Sequence, residues 1–322
     1  MTFFSANLFA NGEYAHAKRG TTLVRGTETT AEKAAEAIRR ELDGCDAVLV
    51  GAGAGLSTAA GFSYSGKRFD ENFADFRDRF GITDMYSGGF HPFPDLETYW
   101  AWWSRAILLN RYEAGTGKPY LDLLHILEGR DYFVLTTNVD HQFQLAEFDK
   151  ARLFYTQGDY GLFQCSEPCC KEKYDNEEII RKMLLAQGYQ IPEDGSLVPP
   201  ENGNLSMRIP SELVPYCPHC GKPMSMNLRA DDTFVEDKGW HEASSRRIDF
   251  LLRHNRGHIL YLELGVGYNT PGIIKYPFFS MTAEDKDNLY VCINTSDMRV
   301  PDLIRDRAVC IKGDIGEVLD RI

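Results

Sequence analysis

Three short stretches hold residue types that can do chemistry. The first is Gly51-Ala52-Gly53-Ala54-Gly55-Leu56-Ser57, directly after the apolar run at 46–50. A backbone stripped of side chains lets a pyrophosphate approach, and the free N–H groups that open the next helix face its negative charge. The spacing is not a G-x-G-x-x-G fingerprint, so a tight turn without ligand is the alternative reading. The second stretch is Thr136-Thr137-Asn138-Val139-Asp140-His141, at the C-terminal end of another apolar run. Open parallel sheets bind ligands at that end, and Asn and Asp there can hold ribose hydroxyls or an amide. The alternative is an Asn/Asp turn that caps the following helix. The third is a cysteine set, Cys165, Cys169 and Cys170 followed by Cys217 and Cys220. Two knuckles across a long insert suit a structural zinc held by four thiolates. The second knuckle is Cys217-Pro218-His219-Cys220, a tight turn that points both sulfurs inward. In the first, Cys169 and Cys170 compete for one position beside Cys165, and Cys169 is preferred. Buried free thiols are the alternative.

Strands and helices must alternate to position these stretches. Residues 30–43 put Ala34, Ala37, Ile38 and Leu42 at helical spacing, with Thr29 or Thr30 as N-cap. Residues 46–50 read as a fully buried strand, the glycine run as its turn, and Ser57-Thr58-Ala59-Ala60 as the opening of a helix. Further buried strands are expected at 132–137, 151–156, 258–267, 288–294 and 308–314, with a helix to end the chain. Helix, strand, glycine turn and helix are the grammar of an α/β nucleotide-binding sheet. Residues 95–112 read as a helix with three of the four tryptophans. It is a core-packing helix first and an aromatic groove second. Another helix is expected at 119–128, closed by Gly129. Residues 160–230 break the pattern with five of the eight cysteines and a charged helical patch at 175–187, and they read as an inserted subdomain. Cys45, Cys292 and Cys310 lie in or beside apolar strands and are expected in the core.

The chain has 322 residues, 43% hydrophobic and 25% charged, which is ordinary for a globular protein with a sizeable core. Its formal net charge of −12 argues against nucleic acid as a partner. No apolar run approaches the roughly 20 residues that span a bilayer, so no membrane partner is expected. The first residues lack a basic stretch before an apolar one. A reducing, cytoplasmic location and unpaired cysteines are therefore expected.

The motifs occur in an order that resembles the sirtuins, NAD-dependent enzymes with a Rossmann sheet and a zinc-bearing small domain. The family's Gly-Ala-Gly-x-Ser falls on Gly53-Ala54-Gly55-Leu56-Ser57, and its following glycine on Gly61. Its Gln-Asn-x-Asp falls on Thr137-Asn138-Val139-Asp140, and its His-Gly on Gln157-Gly158. Its Leu-Arg-Pro falls on Leu228-Arg229-Ala230, and its Gly-Thr-Ser on Gly265-Val266-Gly267. A late Asn is Asn294, and the final Gly-Asp is Gly313-Asp314. The likeness covers roughly residues 30–322. It implies an α/β fold with a Rossmann-like parallel sheet and an inserted small domain made of a zinc-binding module and a helical module. Residues 1–70, 129–160 and 231–322 would form a discontinuous NAD-binding domain, 71–128 the helical module and 161–230 the zinc-binding module.

Three departures matter. The family's Pro-Asp-Phe-Arg is Ser63-Tyr64-Ser65-Gly66, its Gln before Asn is Thr137, and its catalytic histidine is Gln157. A deacylating sirtuin needs that histidine as general base in its second stage. A glutamine amide cannot take the proton. Cleavage of the nicotinamide–ribose bond does not need it. With these departures the pattern resembles the macrodomain-linked, class M branch, which implies a protein mono-ADP-ribosyltransferase consuming NAD. The resemblance further implies a lipoylated acceptor related to the glycine-cleavage H protein, and a macrodomain hydrolase that reverses the mark. The implied roles follow residue by residue. Gly53, Ala54, Gly55, Ser57 and Gly61 would hold pyrophosphate and ribose. Asn138 would position the nicotinamide ribose, Asp140 the carboxamide, and Gln157 with Gly158 a ribose hydroxyl or the acceptor. Gly265, Gly267, Asn294 and Asp314 would lie on the adenosine half. Arg229 would orient an acceptor or stabilise charge, with an ion pair as its alternative role. Tyr64 would shield the ribose from water. Cys165, Cys169, Cys217 and Cys220 would hold Zn2+ structurally. Two rivals stand beside this reading. One is a lysine deacylase with another base, for which His141 is nearest in sequence. The other is a catalytically silent NAD-sensing module.

Overall fold

The computed structural model describes residues 23–25, 31–113, 115–201, 203–268, 271–296 and 298–322. The expected N-cap at Thr29 or Thr30 lies outside them. Strands are β1 (Leu23–Arg25), β2 (Ala47–Ala52), β3 (Tyr132–Thr136), β4 (Leu153–Tyr155), β5 (Gly158–Cys165), β6 (Tyr174–Asp175), β7 (Met224–Leu228), β8 (Ile259–Leu264), β9 (Leu289–Asn294), β10 (Arg299–Pro301) and β11 (Ala308–Lys312). Helices are α1 (Ala31–Gly44), α2 (Ala54–Ala59), α3 (Lys67–Phe80), α4 (Met85–Gly88), α5 (Leu96–Ile107), α6 (Lys118–Leu127), α7 (Gln142–Leu145), α8 (Glu177–Gln187), α9 (Lys238–Arg253), α10 (Lys275–Glu284) and α11 (Ile315–Leu319).

The main sheet runs β11-β9-β8-β2-β3-β4, and every neighbouring pair is parallel. Parallel strands covered on both faces read as continuous apolar runs. That is why β2, β3 and β8 are buried at every position. One face carries Val48, Val50 and Val134 against Ile38 and Leu42 of α1, Leu123 and Leu127 of α6, and Val318 of α11. The other carries Leu49, Leu135 and Tyr261 against Phe250 of α9 and Phe278 of α10. From β2 the chain winds to β3 and β4 on one side and later to β8, β9 and β11 on the other. The order therefore reverses between β2 and β8. The crevice outside the C-terminal ends of these two strands is where such sheets take ligands.

A second core joins Phe69, Phe73 and Phe76 of α3, Trp100 and Trp102 of α5, Met183 and Leu184 of α8, and Phe163 and Met226 of a three-stranded antiparallel sheet, β6-β5-β7. Trp100 and Trp102 are fully buried and Trp103 is 9% exposed. The tryptophan helix is therefore core, not groove. It begins at Asp95, whose carboxylate caps Thr98 N–H, and continues beyond Ile107 as a π-helical segment, Leu108–Tyr112. Tyr120, Leu123 and Leu127 of α6 pack in the core of the main sheet instead.

Two expectations shift. α2 opens at Ala54, three residues before Ser57, because Gly53 already has the extended backbone of an N-cap residue. Cys45 is half-buried, its thiol donating to Leu42 O, whereas Cys292 and Cys310 are buried as expected. α3, α9, α10 and the three-stranded sheet are additions to the elements expected from sequence.

Candidate active site

The glycine run packs against protein backbone. A Cβ on Gly55 would sit 2.6 Å from Gly265 Cα, and one on Gly53 would sit 2.8 Å from Val266 Cα. Gly55 N–H donates to Gly265 O at 3.0 Å, and Gly53 N–H to Leu264 O at 3.0 Å. Gly51 makes room for Ile274 and Phe278. The close approach that the glycines permit is therefore, first, that of two loops at the crest of β2 and β8. Gly265, at φ 63°, needs glycine for its conformation as well. What these loops leave open differs by residue. Ala54 and Gly267 are exposed, and nothing lies within 4 Å of the Cβ position of Gly267 or Gly61. Asn294 Nδ2 donates to Val266 O at 3.2 Å and braces the same loop, while Asp314 caps α11 through Glu317 N–H.

Beside this crest four polar side chains converge. Ser57 Oγ lies 2.5 Å from Asp140 Oδ2 and 3.0 Å from Tyr120 Oη. Asn138 Nδ2 donates to Gly53 O at 3.0 Å and to Tyr120 Oη at 3.2 Å. Gln142 N–H donates to Asp140 Oδ1. Asp140 is 5% exposed and Asn138 9%. Burial raises the Asp140 pKa, and the nearby Asp159 charge adds to the rise, while the Ser57 hydroxyl and Gln142 N–H oppose it. Burial also pushes the Tyr120 phenol well above its usual range, so it remains a hydroxyl. The structure thus joins the glycine loop to the Asn-Val-Asp loop through one buried network.

Gln157 lies in the turn between β4 and β5, half-buried. Its carbonyl accepts from Arg229 N–H at 2.9 Å. Gly158 adopts φ 98°, and a Cβ there would fall 1.8 Å from Asn227 O, so only glycine fits beneath β7. The Arg229 guanidinium pairs with Glu236 and lies over the rings of Phe234, at 4.4 Å, and Trp240, at 5.5 Å. Its side chain is engaged in that ion pair, not with Ser57 or Asp140.

The cysteine set closes at the tip of the three-stranded sheet. Cys165 Sγ and Cys220 Sγ are 3.5 Å apart, and Cys169 Sγ and Cys217 Sγ 3.6 Å. All four lie within 4.8 Å of one another. Tetrahedral zinc with bonds of about 2.3 Å has S···S edges of about 3.8 Å, so the four thiolates fit that ion. Cys170 lies outside that set of four, with its sulfur 3.9 Å from Tyr174 Oη. A cleft of about 320 Å³ opens at the opposite, N-terminal ends of β3 and β4. Its Arg152 and Arg253 are paired with Asp131, and it holds none of these features.

No protein-family model matches the chain. A protein ADP-ribosyltransferase of Staphylococcus aureus (strain Mu50 / ATCC 700699) is 38% identical over 288 residues, which cover 89% of this chain and 86% of that protein. The chain belongs to the protein ADP-ribosyltransferase family. A probable bifunctional ADP-ribose hydrolase/ADP-ribosyltransferase of Fusarium oxysporum f. sp. cubense is 30% identical over 314 residues. These are 93% of this chain but 49% of that protein, so the chain spans about half of that relative. Among solved structures, Sir2Tm bound to a propionylated peptide matches with a TM-score of 0.54 at 20% identity, over 89% of this chain and 95% of the other. A Sir2 complex with a p53 peptide and NAD+ matches at 0.52 and 18% identity, with the same coverages of 89% and 95%. At such identity the likeness shows the fold. It is the sirtuin Rossmann-like fold, a six-stranded parallel sheet with a separate small domain carrying the cysteine cluster.

This ADP-ribosyltransferase also brings Arg68 and Arg111, which no motif marks, to Tyr64, Tyr160, His141 and Asp159. Arg68, from α3, donates to Ser63 O, Leu109 O and Asn110 Oδ1. Burial lowers its pKa, against the opposing influence of Tyr64, Tyr160 and Asp140. Tyr64 Oη lies 2.9 Å from Tyr160 Oη. Asp159 gathers His141, Arg111 and Gly161 N–H around one carboxylate. Burial opposes its charge, but the hydrogen bond and charge of His141, then Arg111, bring its pKa below the usual value. The Tyr64–Tyr160, Arg68–Asn110 and Arg111–Asp159 contacts do not follow from spacing, because each joins residues more than 40 apart in sequence. Among the described residues no helix is long and apolar enough to cross a membrane.

Proposed function

We propose that this chain is an NAD-dependent protein mono-ADP-ribosyltransferase. It cleaves the nicotinamide–ribose bond and passes ADP-ribose to a protein acceptor, a lipoylated carrier of the glycine-cleavage H type. The observation that carries this reading is Gln157, in the turn beside Arg229 where a deacylase would need its base. The amide can hold a hydroxyl but cannot take a proton at working pH. Such a site keeps the first stage of sirtuin chemistry and gives up the second. The 38% identity to a protein named ADP-ribosyltransferase supports the same conclusion.

The residues divide the work as follows. Ala54 and Gly267, open at the crest, let the pyrophosphate and adenosine approach, with Gly53, Gly55, Gly61, Gly265, Asn294 and Asp314 shaping that cradle. Asn138 orients the nicotinamide ribose. Asp140, held by Ser57, orients the carboxamide. Gln157 and Gly158 line the acceptor side, and Arg229 fixes the Gln157 carbonyl from behind. Cys165, Cys169, Cys217 and Cys220 hold zinc for structure alone, since four thiolates leave no open position. The fungal relative, by its description, joins a hydrolase to a transferase. That supports a separate macrodomain hydrolase as functional partner of this chain. Reduced thiols suit the cytoplasm.

Intact-mass spectrometry of a lipoylated H-like carrier incubated with the chain and NAD tests the reading. One added ADP-ribose on the lipoylated carrier, and none on the non-lipoylated form, is expected. An unmodified carrier with NAD consumed would refute this acceptor.

A further inference from the structure

His141 follows Asp140 directly and holds the left-handed backbone, φ 64°. That conformation costs a side-chain-bearing residue roughly 1–2 kcal/mol, and such strain persists only where the surroundings enforce it. The ring does not cap α7, the helix it precedes. Instead its Nδ1 donates to Asp159 Oδ2 at 2.5 Å. The Asp159 side chain is 6% exposed and also accepts from Arg111 Nε at 3.2 Å and Gly161 N–H at 2.7 Å. Three parts of the molecule therefore meet on one buried carboxylate. His141 comes from the loop after β3, Asp159 from β5, and Arg111 from the π-helical turn that widens the end of α5. The meeting point is one residue from Asp140 and two from Gln157.

We propose that His141 is a positioning residue for Asp140. Its ring, anchored on Asp159, holds the loop in the left-handed turn that aims the Asp140 carboxylate at Ser57 Oγ. The inference rests on the reading above, in which Asp140 orients the carboxamide while the nicotinamide–ribose bond breaks. Without the anchor the turn relaxes toward ordinary φ values, and Asp140 leaves the Ser57–Asn138 network. The glycine crest itself stays in place, because Gly53 and Gly55 pack on the backbone of Gly265 and Val266 without His141. The effect therefore falls on the chemical step.

The test is nicotinamide release from NAD, with and without the lipoylated carrier, by three proteins. His141→Gly removes the ring and leaves a residue that adopts either sign of φ about equally, so the loop loses its anchor and is free to leave the turn without a strain cost. His141→Asn keeps a side chain that tolerates this backbone and can donate to Asp159. We expect His141→Gly to lower kcat at least tenfold with KM for NAD changed less than threefold, and His141→Asn to recover most of kcat. A purely structural role would lower stability and leave the kcat of the folded protein intact. An unchanged kcat in His141→Gly, or a loss that appears only in KM, would overturn the inference and leave the transferase reading standing. A wild-type chain that releases no nicotinamide under either condition would overturn both.

Discussion

Ser57 and Asp140, 83 residues apart in sequence, meet at 2.5 Å and lock the glycine loop to the loop after β3. The Asp140 carboxyl is buried, and its pKa is raised in the folded protein chiefly by that burial. A raised carboxyl pKa means the folded state holds the proton more tightly than the unfolded one. Its contribution to stability is present below the unfolded value of 3.8 and is lost as pH rises through the folded value. Ser57→Ala removes a donor to the charged form, raises that pKa further and costs about 1–3 kcal/mol at neutral pH. Asp140→Asn removes this carboxyl's share of the pH dependence. Urea denaturation from pH 4 to 8 reads both effects. Identical profiles for Asp140→Asn and the parent would show that the carboxyl does not titrate as its burial requires.

The glycines separate into two kinds. Gly55→Ala drives a methyl into the Gly265 backbone, where neither side can yield. A loss of about 2 kcal/mol or more is expected, as for other overpacked sites. Gly267→Ala meets nothing within 4 Å and leaves stability unchanged. If Gly267 borders the adenosine, the second change weakens NAD binding without lowering Tm. Thermal melts with and without NAD separate the two. A stable Gly55→Ala would refute the backbone-contact account.

The cysteine cluster predicts one zinc per chain. Cys169→Ser is expected to lower bound zinc and to destabilise the small domain, whereas Cys170→Ser leaves metal content unchanged, since its sulfur faces Tyr174. Plasma emission spectrometry on purified protein, before and after chelation, gives the ratio. Equal loss in both variants would show that Cys170 is also a ligand.

Glu263 and Lys275 form an ion pair, 0% and 1% exposed, at 2.5 Å. Tyr290 Oη donates to the same carboxylate at 2.8 Å. Burial alone would depress the Lys275 pKa, and Glu263 more than reverses this. The pair spans the loop that carries Gly265 and Gly267. Breaking it by Lys275→Met leaves a buried carboxylate and costs about 3–5 kcal/mol, while changing both partners to apolar residues costs less. Equilibrium denaturation of the two variants decides. A double variant as unstable as the single one would contradict the account.

Much of the main sheet is legible because buried parallel strands are written as apolar runs, as at 46–50 and 132–135. The motif loops sit at their C-terminal ends for the same topological reason. The helix α10 is not legible. It buries Lys275, Pro277, Phe278, Phe279 and Thr282 around its circumference, so no single apolar stripe marks it. β5 is glycine-rich and polar at its start, and its strand character comes from pairing with β7. The meaning of the glycine run was only half legible. Sequence suggests a close approach but cannot say that the approaching backbone is Gly265. His141, Asp159 and Arg111 carry no shared motif, and only the fold brings them together.

In a transferase of this kind, ADP-ribose from NAD ends on protein. The most direct measurement counts nicotinamide released and ADP-ribose covalently bound to the lipoylated carrier in the same reaction, using NAD labelled in the adenine ring. Equal amounts of the two are expected, with no O-acyl-ADP-ribose when acylated peptides are added. Nicotinamide release with all the label free in solution, or label recovered as O-acyl-ADP-ribose, would contradict transfer to protein.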